Sequence, residues 1–396
     1  MMPRSEARTR PAARSPRRDI RFVSLAAVPW RFALAGRTRA LTEAWAASGV
    51  PAAFVQVPSL RTGIERLIAG ACRRGPGVAV LRPWPVCPSR WWARMRPAHL
   101  LRLTRNRARE LRRRLDACGA WDGAVAIVVS PVWAEWLAAL PFRRVIYDCI
   151  DDPSVHVPCP RLAGLFAAWE QALIARADGA VVTAETLASS IRARRPDLPI
   201  AVIRNGVDPD FFRAHAARSP RPADMPPPSR RIVGFVGALY EWIDWDLIEY
   251  AARALPELEF VFVGPDDGRG QARRFASARN VRFLGRRAHD RVPAYVQAFD
   301  VCWVPFRGDR VGLAANPVKI YEYLALGKPV VSTPVADVDS FGAHIRVGLT
   351  PAEVVEHIRV ALEETQAPAE ARRSFARAGS WRARAQAYAE FAAALG

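Results

Sequence analysis

Lysine is almost absent from this sequence. Only Lys319 and Lys328 occur in 396 residues, although lysine and arginine together number 58 against 38 acidic residues, for a net charge of +20. The cationic character is therefore that of arginine, whose planar guanidinium stays charged and forks toward carboxylates and phosphates. Paired cysteines are lacking too. The six cysteines, at 72, 87, 118, 149, 159 and 302, form no C-x-x-C pair. This leaves little basis for a zinc site and reads as the reduced thiols of a cytoplasmic chain. Long apolar runs are also missing. The longest nearly uncharged stretch, 123–140, is interrupted by Pro131 and Glu135 and reads as a buried strand followed by a helix, not as a membrane span. The first 18 residues are basic and proline-rich without the apolar core of a signal peptide, and are expected to form a disordered arm. No G-x-G-x-x-G follows the first strand-like run, so the chain opens without a dinucleotide fingerprint.

What is present is an alternation of short apolar runs with helical stretches, in a chain that is 51% apolar. The alternation predicts an α/β protein built on parallel sheets. It runs once through residues 19–205, breaks at the proline-rich linker 218–230, and restarts at Ile232. Two Rossmann-like domains are expected, 19–205 and 206–379, followed by a last helix over 380–396. Within the first, Ser89–Ala117 joins Trp91, Trp92 and Met95 to at least nine arginines. Two readings stay open for it: a helix lying on an anionic membrane, or a domain helix with a solvated arginine face.

Two stretches carry candidate chemistry. Asp148-Cys149-Ile150-Asp151-Asp152 follows a strand, where open α/β sheets bind their ligands, and His156 lies just beyond. Asp148, Asp151 and His156 are the candidates for proton transfer, with an ordinary exposed loop as the alternative for His156. The other stretch is 314–335, AANPVKIYEYLALGKPVVSTPV. Asn316 reads as an N-cap, Pro317 as the first helical residue and Gly327 as the helix stop. A helix N-terminus of this kind offers unpaired N–H groups to an anion. Lys319 and Glu322, three residues apart, share a face near that end.

Residues 316–333, NPVKIYEYLALGKPVVST, resemble the nucleotide-sugar signature of the GT-B glycosyltransferases known as family 4, or group 1. The progression from Asn205-Gly206-Val207-Asp208 to Phe211-Phe212 resembles the same family where it crosses between domains. The resemblance implies two Rossmann-like domains facing across a cleft, with the C-terminal helix crossing back to the first. It implies that Glu322 holds the ribose of a nucleoside-diphosphate sugar, and that the helix N-terminus, with Asn316 and Lys319, faces the phosphates. By the same resemblance Gly237 and Ala238 form the turn approaching the diphosphate, and Arg286 and Arg287 lie in the loop meeting the base. Trp30, Arg31 and Arg37 are acceptor-side candidates, with an ordinary surface loop as the alternative.

The implied reaction is glycosyl transfer without a metal or other cofactor, with retention as the expected course. Inversion would require Asp148, Asp151 or His156 as base. The implied partners are a nucleotide sugar and a carbohydrate or lipid-linked acceptor, with an anionic membrane surface suggested by charge and no nucleic acid expected. Two departures stand out. Ala314 occupies the position where the family often has a sugar-binding glutamate, and Tyr240-Glu241-Trp242-Ile243-Asp244 replaces its basic pair. They motivate an alternative, a GT-B scaffold that has lost catalysis. A basic nucleic-acid-binding protein ranks behind it.

Overall fold

The computed structural model describes residues 20–30, 36–59, 62, 64, 67, 72–75, 77–84, 97–119, 121, 123–153, 162–268, 270–309, 316–365 and 367–396. The basic arm, Arg31, Trp91, Trp92, His156 and Ala314 lie outside them.

Two parallel sheets account for the core. The first contains β1 (Phe22–Leu25), β2 (Ala52–Val55), β3 (Cys72–Gly75), β4 (Val78–Leu81), β5 (Val125–Val128), β6 (Arg144–Cys149), β7 (Gly179–Val182) and β8 (Ile200–Val202). Their spatial order is β3-β4-β2-β1-β5-β6-β7-β8. The second contains β9 (Ile232–Val236), β10 (Glu259–Val263), β11 (Val281–Gly285), β12 (Val301–Val304), β13 (Val330–Ser332) and β14 (Arg346–Val347), in the order β11-β10-β9-β12-β13-β14. Central strands such as Phe22–Leu25 and Ile232–Val236 are buried at every residue, because helices cover both faces. The helices of the first domain are α1 (Gly36–Ala47), α2 (Pro97–Cys118), α3 (Ala134–Leu137), α4 (Ala163–Arg176) and α5 (Glu185–Arg194). Those that follow are α6 (Pro209–Arg218), α7 (Trp245–Ala254), α8 (Val292–Ala298), α9 (Val318–Ala325), α10 (Pro351–Leu362), α11 (Pro368–Ala378) and α12 (Trp381–Ala394).

Strand order reverses between β1 and β5 in one sheet and between β9 and β12 in the other. A crevice opens at such a reversal, at the C-terminal ends of the strands. That places the loops after β1 and β9, and the segment leading to α9, where ligands bind in this architecture.

Two local features differ from the sequence-based expectation, and a third decides between its two readings of the arginine-rich stretch. The edge strand β3 runs antiparallel to β4, which brings Cys118 Sγ at the end of α2 to 3.0 Å from Cys72 Sγ. The Asn-Gly-Val-Asp turn leads directly into a helix, α6. Asp208 caps it by accepting from the Phe211 N–H, and Pro209 occupies its first turn. The arginine-rich α2 buries Thr104, Ala108, Leu111 and Leu115 along one stripe and exposes Arg102, Arg105, Arg109, Arg112 and Arg113 on the other. It is thus a domain helix with a solvated arginine face. No helix among the described residues is long and apolar enough to cross a membrane.

The final helix returns to the first domain. Trp45 stacks on Phe22 with ring centroids 4.2 Å apart and meets Tyr388 of α12 edge-on at 5.3 Å. Its indole N–H donates to the Ala385 carbonyl at 2.9 Å. The outgoing and returning strands of the crossing run side by side: Trp381 N–H donates to the Val207 carbonyl, and Val207 N–H to the Gly379 carbonyl. A Cβ on Gly206 would stand 2.6 Å from the Gly379 carbonyl oxygen, so the two crossings approach this closely only with glycine there. Tyr388 also has a testable peculiarity, because its hydroxyl is buried without a hydrogen-bond partner. Tyr388→Phe should therefore leave stability unchanged or raise it. Tyr388→Ala should cost about 3–5 kcal/mol. Denaturant titration of both variants separates the ring from the hydroxyl.

Candidate active site

Gly237 and Ala238 at the end of β9, and Lys319 and Glu322 at the start of α9, are brought together by the bond from the Val236 N–H to the Tyr323 hydroxyl. Helix α9 begins at Val318, with Pro317 in the capping position and no side chain capping it. This corrects the assignment of Asn316 as N-cap. The Asn316 side chain is drawn away into the domain junction, where its Oδ1 accepts from the Asn205 N–H at 3.1 Å. Its carbonyl accepts from Asn205 Nδ2 at 2.6 Å. A tertiary partner has outcompeted the local capping preference, and the first N–H groups of α9 are left without a side-chain cap. Glu322 is 5% exposed, and its Oε2 lies 2.9 Å from Lys319 Nζ. The pair offers a buried carboxylate beside a cation at the helix's N-terminal end.

The β9 turn is held from below. The Val236 N–H donates to the Tyr323 hydroxyl at 2.8 Å, which ties the turn to α9. Gly237 N–H donates to the Val263 carbonyl at 2.9 Å. A Cβ at Gly237 would meet the Phe235 ring at 2.6 Å, so any larger residue there requires that ring to move. The Ala238 carbonyl is occupied by the Trp242 indole N–H at 3.0 Å, and Trp242 lies 5.1 Å from the Tyr240 ring. An aromatic corner thus fills the position where a basic pair was absent from the sequence.

Of the two arginines after β11, Arg287 is committed. Its guanidinium pairs with Asp224 of the linker and donates to the Tyr295 hydroxyl at 2.8 Å. Arg286 is exposed. A residue not anticipated from the sequence is His289. Its ring stacks on Phe211 at 4.9 Å, and Phe211 in turn lies 4.1 Å from His215. Partial desolvation lowers the His289 pKa. Glu322 acts in the opposite direction, while Lys319 and Arg39 reinforce the lowering. No sequence signal beyond its place in the loop after β11 marks it out.

The acceptor-side candidates separate. Asp148 is fully buried, and Arg37, 5% exposed, grips it through Nε at 3.2 and 3.1 Å and Nη2 at 3.0 Å. Arg37 Nη1 continues to the Arg204 carbonyl at 3.1 Å and to Asn205 Oδ1 at 3.4 Å. Asp148 is thus withdrawn from the crevice, a correction to its candidacy as a base. The same finding withdraws Arg37 from the acceptor side. Asp151 is half-buried just past β6, and His156 falls outside the described residues. Burial pushes the Cys149 and Cys302 thiols up to about 12, so neither is a nucleophile at neutral pH. Among the described residues no three His, Cys, Asp or Glu side chains are grouped to hold a metal ion.

Two parallel sheets with their strand reversals facing one crevice, and a last helix returned to the first domain, make this the GT-B fold. Solved structures agree. A sucrose-phosphate synthase from Thermosynechococcus elongatus superposes with a TM-score of 0.67 at 16% identity, over 94% of this chain and all of the other. Anabaena HepE, solved with UDP and glucose, superposes with a TM-score of 0.63 at 18% identity, over 94% of this chain and 98% of the other.

The second domain carries the family match: residues 230–364 match the family described as Glycosyl transferases group 1. Among curated relatives, the glycosyltransferase TuaH of Bacillus subtilis, named for teichuronic acid biosynthesis, is 27% identical over 202 residues, 48% of this chain and 50% of its own. A D-inositol 3-phosphate glycosyltransferase of Mycobacterium bovis is 31% identical over 200 residues, 48% of this chain and 40% of its own. The chain thus spans half or less of the length of the curated relatives it matches.

The Arg37–Asp148 geometry yields a prediction. Asp148→Ala leaves a buried guanidinium uncompensated and should cost about 3–5 kcal/mol of first-domain stability. Chemical denaturation measures it. An unchanged midpoint together with a selective loss of activity would return Asp148 to the chemistry.

Proposed function

We propose that this protein transfers a glycosyl group from a nucleoside-diphosphate sugar to a carbohydrate or lipid-linked acceptor in envelope or exopolysaccharide synthesis. The observation that carries the reading is the uncapped start of α9, with Lys319 and buried Glu322, opening at the strand reversal of the second sheet. The family match over residues 230–364 and the glycosyltransferase relatives support it. So does the solution of a structural neighbour with UDP and glucose.

In this reading the diphosphate lies at the N-terminus of α9. The backbone N–H groups, Lys319 and the exposed Arg286 stabilise the negative charge that grows on the leaving phosphate. Glu322 accepts from the ribose hydroxyls, and His289 lies within the field of the same site. The turn at Gly237 and Ala238 brings backbone close to the phosphates. If configuration is retained, the leaving phosphate takes the acceptor's proton and no protein base is needed. If it is inverted, Asp151 or His156 serves, because Asp148 is spoken for by Arg37. The exposed arginines of α2 supply an attraction to an anionic membrane carrying a lipid-linked acceptor.

A second reading has its own observation. Arg287 is locked to Asp224 and Tyr295, and the aromatic corner at Tyr240 and Trp242 stands where phosphate-neutralising cations would be. A scaffold without catalysis would look the same. One screen separates the two. Nucleoside diphosphates and their sugars, each added at about 100 times Kd, stabilise the native state by about 2.7 kcal/mol if they bind it alone. The thermal shift should appear with one base and weaken at least about tenfold in apparent affinity in Glu322→Ala, as expected when a hydrogen-bonded charge is removed. No shift with any base favours the scaffold. For the membrane, replacing Arg105, Arg109 and Arg112 together by Glu should abolish flotation with anionic liposomes. Flotation unaffected by the change would remove α2 from that role.

A further inference from the structure

One residue of the second domain reaches into the first in a manner that neither the donor site nor the crossing helix explains. Asp337 follows β13 and is the only non-glycine residue with a positive φ among the described residues, at φ 52° and ψ 35°. An L-residue is held there at some cost and persists when its surroundings over-determine it. The surroundings are those of the other domain. Asp337 Oδ2 accepts from Arg204 Nε at 2.9 Å and Nη2 at 2.7 Å. Oδ1 accepts from the Glu185 N–H at 3.0 Å.

Glu185 is the first residue of α5, a first-domain helix whose own capping residue, Ala184, has no side chain to cap it. Asp337 therefore supplies the missing N-cap from across the crevice, with its negative charge at the positive end of the helix. Its neighbour Ala336, 3% exposed, packs into the apolar cluster of the first domain. The Asp337 side chain is 9% exposed, so little water competes for these bonds.

We propose that the tip formed by Ala336 and Asp337 is an interdomain clasp, and that Asp337 is a positioning residue that fixes the closed orientation of the two domains. It builds on the glycosyl-transfer reading, since the clasp would set the distance between a donor on the second domain and an acceptor on the first. The clasp acts on the transfer step and on acceptor binding, and leaves nucleotide affinity alone, because every donor-side group named above apart from Arg39 belongs to the second domain. The left-handed backbone is what aims both carboxylate oxygens at separate partners.

The substitution that tests this is Asp337→Gly. Glycine adopts φ 52° freely, so the variant removes the clasp while relieving the backbone cost. Three readouts apply to the full-length chain. Hydrogen exchange at the Glu185 amide should accelerate at least about tenfold, because its acceptor is gone. Small-angle scattering should show a larger radius of gyration. In the active enzyme kcat/KM for the acceptor should fall about tenfold or more, with the nucleotide Kd unchanged within about twofold. Asp337→Asn keeps the left-handed conformation and an acceptor for Glu185 but loses the ionic bonds, and should fall between the two. Arg204→Gln should reproduce the scattering change and spare the Glu185 amide.

The inference is overturned if Asp337→Gly leaves Glu185 exchange and the radius of gyration at wild-type values. It is equally overturned if the nucleotide Kd weakens in parallel with kcat/KM. A wild-type protein without transferase activity would sink the glycosyl-transfer reading, while exchange and scattering would still decide the clasp.

Discussion

Arg37 and Asp148 form a buried ion pair, and the arrangement of both domains follows from how that pair is completed. Two charges out of water are stable together only when their remaining hydrogen-bonding capacity is met. Asp148 at the end of β6 engages Nε and Nη2 of Arg37, and Nη1 is left to find acceptors elsewhere. It finds them at Arg204 and Asn205, where the chain leaves the first domain. Asn205 then engages Asn316 with its backbone N–H and its side-chain amide, and Asn316 stands two residues before α9. An electrostatic requirement inside the first sheet is thus transmitted, bond by bond, to the helix that would face a nucleotide in the second. Arg384 of the returning helix donates to the Asn205 carbonyl at 3.2 Å and closes the junction from the other side.

This junction is also where sequence reasoning and structure part company. The βα alternation, the GT-B class, the buried strands and the helix–strand pair around Glu322 are legible because each rests on local periodicity or a local stop signal. Gly327, for instance, is left-handed with φ 74° where the helix was expected to end. Asn316 and Asp148 were misread for one shared reason. Each sits in a pattern that has a good local explanation, a cap in one case and a loop carboxylate in the other. Each is instead claimed by a partner more than a hundred residues away. Asp208 was the converse. In the sequence it stands out only within the family-like progression from Asn205, although Asp followed by Pro is itself a helix-start pattern. His289 and Asp337 could not be found from sequence, since a stacked ring and a cap supplied by another domain leave no spacing to detect.

The two retained lysines illustrate what the arginine bias conceals. Lys319 pairs with Glu322 at the start of α9. Lys328 donates at 2.7 Å to the carbonyls of Gln297 and Phe299 and so closes the C-terminal end of α8. At Lys328 a compact ammonium with rotatable donors reaches two carbonyls at once, which a planar guanidinium matches less well. Elsewhere many arginines are tied to carboxylates within their own domain, as Arg282 and Arg230 are to Glu259. The net charge therefore says less about partners than its size suggests. The exposed face of α2 is the described surface where arginines stand in a row.

The central claim is that a nucleoside diphosphate docks at the N-terminus of α9 with its ribose on Glu322. Determining the structure with a nucleoside diphosphate bound tests it most directly. The diphosphate should lie against the first turn of α9 and the turn at Gly237, with both ribose hydroxyls within hydrogen-bond distance of the Glu322 carboxylate. A nucleotide bound elsewhere, or one bound here whose ribose leaves Glu322 paired only with Lys319, would contradict it.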